Sequence, residues 1–126
     1  MLIREVIDID RATFQAFADQ IKTQYGLHKF DLWLDQHGDI KLNMMVIPQK
    51  DRRTGLGTAT MNVLCRFADK LGKRIVLSPA AKADNLGTTS KSRLVAFYKR
   101  FGFIENKGRK RVFDISDGMY RDPQVA

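Results

Sequence analysis

Three features of the sequence predict an α/β chain of the α+β type, with a mixed, mostly antiparallel central sheet and helices on both faces. Two extended runs, 29–34 and 40–47, are separated by the turn segment Gln36-His37-Gly38-Asp39. Strands joined by so short a turn must be antiparallel. The second run is followed by a helical stretch and then a short apolar run at 74–77, and strand–helix–strand crossovers of that kind are normally parallel. Length sets the scale. A chain of 126 residues makes one compact domain spanning 1–126, with roughly two-thirds of its unfolded surface buried.

The elements follow in order. Leu2–Ile7 reads as a short strand. In Asp10–Tyr25 the residues Ala12, Phe14, Phe17, Ala18 and Ile21 recur at three- and four-residue steps, an amphipathic helix closed by Gly26. Lys29–Leu34 alternates, with Phe30, Leu32 and Leu34 on one face, while Ile40–Ile47 is apolar enough to lie mid-sheet. Thr54–Leu71 is a helix with Met61, Leu64, Cys65, Ala68 and Leu71 on one face, stopped by Gly72. Arg74–Leu77 is a short buried strand. Ser90 or Ser92 caps a helix to about Arg100, and Gly102 ends it. Phe103–Asn106 and Val112–Ser116 make a second hairpin around Lys107-Gly108-Arg109. The order is β-α-β-β-α-β-α-β-β.

Composition excludes several classes. No window approaches about 18 consecutive apolar residues, so no membrane span or membrane partner is expected. The opening MLIREVIDID carries acids inside its apolar stretch and lacks a small-residue cleavage site, which excludes a secretory signal. Cys65 stands alone, offering neither a disulfide framework nor a zinc cluster, and no metal is expected. On the apolar face of its helix, without a paired His, it reads as core and not as a nucleophile. The expected address is cytoplasmic. Charge is the unusual property: 22 basic against 14 acidic residues give a net +8. Residues 1–45 carry −2, 46–90 carry +5, 91–111 carry +7 and 112–126 carry −2. So uneven a distribution points to one polyanionic ligand bound by part of the molecule.

The segment Val46-Ile47-Pro48-Gln49-Lys50-Asp51-Arg52-Arg53-Thr54-Gly55-Leu56-Gly57-Thr58 shows where. A buried strand ends at Pro48, which cannot continue a central ladder. Two arginines follow, and Gly-x-Gly then opens a helix whose first N–H groups have no partner of their own. Those donors and the positive helix end form a phosphate site, and Arg52 and Arg53 add two charges beside it. The segment lacks the Gly-Lys-Ser/Thr of a P-loop and the third glycine of a dinucleotide fingerprint.

Arg52-x-x-Gly55-x-Gly57 after Val46-Ile47-Pro48 resembles the acyl-CoA-binding motif of the GNAT N-acetyltransferase superfamily. About forty residues later, Ala96-Phe97-Tyr98-Lys99-Arg100-Phe101-Gly102-Phe103 is similar to that family's second signature. The resemblance covers about residues 38–116; the first 37 residues match in element type only. It implies an acyl-CoA N-acyltransferase fold and an acetyl-CoA-dependent N-acetyltransferase, with no metal. The coenzyme would lie in a wedge between the strands ending at Ile47 and at Leu77. Main-chain groups of Met45, Val46 and Ile47 would pair with its pantetheine arm. N–H groups of Arg53, Thr54, Gly55, Leu56, Gly57 and Thr58 would hold the pyrophosphate, with Arg52 beside them. Tyr98 would protonate the departing thiolate, since a phenol near pKa 10 can supply a thiol near 8.5.

Two positions depart from the family pattern. An Asn often stands seven residues before the Tyr; here Lys91 does, within reach of a phosphate. Histone-type members carry a base carboxylate five residues before the Val46 position; here it is Lys41. The base is therefore unassigned, with Asp31, Asp35, His28, His37 and Asp84 as candidates that also read as solvated surface residues. The resemblance docks the acceptor against the first helix and the hairpins, where residues 1–45 are net negative. That favours a cationic amine, either a small molecule or a protein amine. Two other classes remain open. The basic run Lys107-Gly108-Arg109-Lys110-Arg111, with Phe103 and Phe113 nearby, suits a module that binds or modifies nucleic acid. A CoA-binding domain without catalysis is the other.

Overall fold

The computed structural model describes residues 11–27, 29–46, 55–79, 91–109 and 111–124. The expected strand Leu2–Ile7 lies outside them. Three helices are present among them: α1 (Arg11–Gln24), α2 (Leu56–Leu71) and α3 (Lys91–Lys99). Five strands accompany them: β1 (Lys29–Leu34), β2 (Ile40–Val46), β3 (Ile75–Leu77), β4 (Ile104–Glu105) and β5 (Met119–Arg121). They form one sheet in the order β1-β2-β3-β5-β4. Only β2 and β3 run parallel; β1–β2, β3–β5 and β4–β5 are antiparallel. The mixed, mostly antiparallel sheet is the one the connection lengths dictate.

Each helix contributes an apolar stripe. Phe14, Ala18 and Ile21 of α1 and Met61, Leu64, Cys65 and Ala68 of α2 are buried in one cluster with Phe30, Leu32, Ile40, Leu42, Ile75, Leu77 and Met119 of the sheet. Ala12, expected on the α1 stripe, is exposed. Phe17 of α1 stacks on Phe67 of α2 with centroids 3.6 Å apart, joining the two helices directly. Burying the larger of these side chains is worth about 1.5–3 kcal/mol each. Cys65 lies in this cluster, and burial pushes its thiol up to about 11, as befits an unreactive core cysteine.

The second hairpin is a correction. β4 pairs not with Val112–Ser116 but with β5, Ile104 opposite Tyr120 and Glu105 opposite Met119. The reason is one side chain. Asn106 accepts the Val112 N–H at 2.7 Å, and its amide nitrogen donates to the carbonyls of Val112, Ile115 and Asp117 at 3.2, 2.9 and 3.3 Å. The main chain after β4 is thus gathered into a loop before a ladder can begin. The chain re-enters the sheet only at Met119. Arg121, 4% exposed, then anchors β5: its guanidinium grips both oxygens of Asp69 on α2 at 2.7 and 3.0 Å and donates to the Phe101 carbonyl at 2.7 Å. Fork-to-carboxylate geometry of this kind is the strong form of the ion pair.

Candidate functional site

The site begins with a defect in β2. Asp31 faces Met44 and Leu32 faces Leu42, so Asn43 has no counterpart on β1. This is a β-bulge, and it shifts the alternation by one residue, so that Met45 follows Ile40 and Leu42 against the core. On its other side β2 pairs with β3 only from Ile40–Ile75 to Leu42–Leu77, while its pairing with β1 continues to Val46. The two parallel strands therefore part at the bulge. Beyond Leu77 the chain belongs to β5 instead: Ser78 Oγ accepts the Gly118 N–H at 3.0 Å and donates to Asp117 at 3.3 Å, and Pro79 has no N–H to offer. Residues 43–46 are left with a strand edge that β3 does not cover.

α2 starts at Leu56, ten residues after that edge ends at Val46. Its N-cap is Gly55, at φ 85°, with no side-chain cap and no acid in the first turn. The left-handed dihedral demands glycine, and nothing lies within 4 Å of a Cβ built there. The first-turn N–H groups at Leu56, Gly57 and Thr58 have no intrahelical acceptor, and the helix dipole makes this end attractive to anions. Ile47, Arg52, Arg53 and Thr54 lie outside the described residues. So do the side chains of Val46 and Lys91; Lys91 itself opens α3.

Tyr98 is on α3, its ring within the core cluster, edge-on to Phe97 and tilted against Phe103 at 5.3 and 5.7 Å. Burial pushes its phenol up to about 12. The group is a proton holder at every physiological pH.

A cavity of about 830 Å³ opens between the start of α1, the β1–β2 turn and residues 114–117. Lys41 and Val76, neighbours across β2 and β3, form part of its wall. The candidate bases divide around it. Asp31 is occupied, accepting the Trp33 indole N–H at 3.0 Å and the Asn43 amide at 2.9 Å. Asp35 shapes the turn by accepting the main-chain N–H groups of His37 and Asp39, each at 2.9 Å. His37 is exposed on the rim. His28 and Asp84 lie outside the described residues. Asp39, a carboxylate of the net-negative first hairpin, also lines the cavity, its carboxyl raised by burial and then by the charge of Asp35; the carboxylate that escaped notice in the sequence is Asp117. Asp117 Oδ1 sits 3.3 Å from Lys41 Nζ, its side chain only 10% exposed. No local spacing announces that pair, because strand order alone brings its members together.

In the basic run Lys107, Arg109 and Arg111 are exposed, and Lys110 lies outside the described residues. Lys99 and Lys107 both bond to Glu105, at 3.0 and 3.4 Å. Phe113 is 82% exposed beside Arg111. Among the described residues no group of three His, Cys, Asp or Glu side chains is placed to hold a metal, and no helix is long and apolar enough to cross a membrane.

Comparison with solved structures places this architecture. Ard1 from Thermoplasma volcanium superposes with a TM-score of 0.53 at 17% identity, over 76% of this chain and 62% of that one. The chain has a GNAT-like fold. It spans less than two-thirds of that neighbour's length, and at this identity the likeness is one of fold alone. No family model matches the sequence, and no curated protein matches it.

Proposed function

We propose that the protein is an acetyl-CoA-dependent N-acetyltransferase acting on an amine. The observation that carries this reading is the parting of β2 and β3 at the bulge, in the strand that precedes a glycine-opened helix end. A strand edge that β3 leaves uncovered among the described residues suits the amide-bearing pantetheine arm, and the α2 N-terminus suits a diphosphate. Main-chain groups of Met45, Val46 and Ile47 would hold the arm. The N–H groups from Arg53 to Thr58, with Arg52 and Lys91, would hold the phosphates. When bound, the coenzyme supplies a thioester carbonyl open to attack by a neutral amine.

Tyr98 is the assigned acid. Its phenol at about 12 keeps its proton until sulfur has gained charge. Between the free groups in water, a phenol near 10 and a thiol near 8.5, full transfer would cost about 2 kcal/mol; burial raises the phenol further, but the same dry surroundings raise the thiolate's affinity for protons. The assignment thus requires a leaving sulfur that is as desolvated as the phenol.

Calorimetric titration with acetyl-CoA, followed by free-thiol release over a panel of amines, tests the reading. Saturable binding with amine-dependent thiol release is expected. Absence of binding by a folded protein would end it.

A further inference from the structure

The cavity beside Lys41 has a composition of its own. Asp35, Asp39, Asp114 and Asp117 line it against Arg11 and Lys41, an excess of carboxylates in a molecule whose net charge is +8. Burial, and then the charge of Asp35, hold the Asp39 carboxyl above the usual range even with Arg74, His37 and Lys73 nearby. Trp33 lines the same wall and is 56% exposed, its indole steadied by the bond to Asp31. An aromatic face among carboxylates is a surface on which an ammonium ion is well received.

A primary ammonium already stands there. Lys41 Nζ rests against Asp117, whose other partner, Ser78, is the first residue past β3. Lys41 and Val76 are one residue pair short of the place where β2 and β3 separate, about 3.3 Å along the strand. Lys41 thus stands, along its strand, close to the place where the two strands separate.

We propose that this cavity seats the acceptor as an organic ammonium, with Asp117 as the carboxylate that receives it and Lys41 as the resident cation it displaces. The assignment of that ammonium as an acceptor rests on the transferase reading above. Binding itself does not. The seat selects cationic primary amines over neutral alcohols of equal length, and it repels acceptors carrying a carboxylate beside the amine.

Trp33 is the protein's single tryptophan, so its fluorescence reports on this cavity without any coenzyme. 1,4-Diaminobutane should change it saturably at low ionic strength, whereas 1,4-butanediol should not. Asp117→Asn should weaken the diamine at least tenfold, and Lys41→Met should strengthen it several-fold by removing the competing ammonium. Equal responses to diamine and diol would overturn the proposal. So would diamine binding that Lys41→Met leaves unchanged or weakens, a result that decides the matter even if Asp117→Asn fails to fold. Calorimetry with acetyl-CoA on the same preparation separates the two readings. Diamine binding without coenzyme binding ends the transferase and keeps the seat; the reverse ends the seat and keeps the transferase.

Discussion

Gly57 occupies the second position of α2, where a side chain affects the helix and its proposed ligand in opposite directions. Gly57→Glu removes a poor helix former, worth up to about 1 kcal/mol, and places a carboxylate in the favourable end of the dipole. The melting temperature should hold or rise. Acetyl-CoA affinity, measured by calorimetry, should be lost, because the new carboxylate sits where the diphosphate belongs. Tyr98 gives a second residue-scale expectation. Tyr98→Phe should lower turnover about 10²–10⁴-fold with coenzyme affinity little changed. In the wild type, rate should climb with pH as the acceptor ammonium, near 10.4 in water, gives up its proton. A phenol at about 12 imposes no falling limb below pH 10. A descending limb between pH 8 and 10 would point to a different acid.

Asn106 governs a whole element through one amide. Asn106→Ala strips four main-chain partners from the stretch between β4 and β5 and should cost about 2 kcal/mol. Hydrogen exchange at the Val112 N–H should quicken well before exchange in β1 or β2. The same residue explains what the sequence conceals. α1, α2 and the first hairpin were legible because Phe14, Ala18 and Ile21, or Phe30 and Leu32, repeat at the period of their own element. β5 has three residues, and one of its inward side chains is Arg121. An arginine reads as buried only once Asp69, far back in the chain, lies opposite it. Asp117 is hidden for the same reason, since its partners are Lys41 on β2 and Ser78 just past β3. The glycine-opened turn was legible, being local. The bulge at Asn43 was not, because it exists only as a relation between two strands.

At the scale of the molecule, the clasp between Arg121 and Asp69 ties sheet, α2 and the end of α3 together. Asp69→Asn leaves a buried guanidinium half-paired and should lower unfolding free energy by about 3 kcal/mol. Burial works to raise the Asp69 carboxyl, but bonds from Arg121 and the Gln124 N–H outweigh it and hold the group below its ordinary value. The stability it lends is therefore complete above about pH 3.9 and vanishes as pH falls through the depressed value. Urea midpoints should drop more steeply on acidification below pH 4 in the wild type than in Asp69→Asn.

β5 lies between two strands that both precede it in the chain. A ribosome delivering this polypeptide releases β3 and β4 before the segment that joins them, so each waits with main-chain groups unanswered. Whenever β5 is detached, the slot between them stands open to any stray extended peptide.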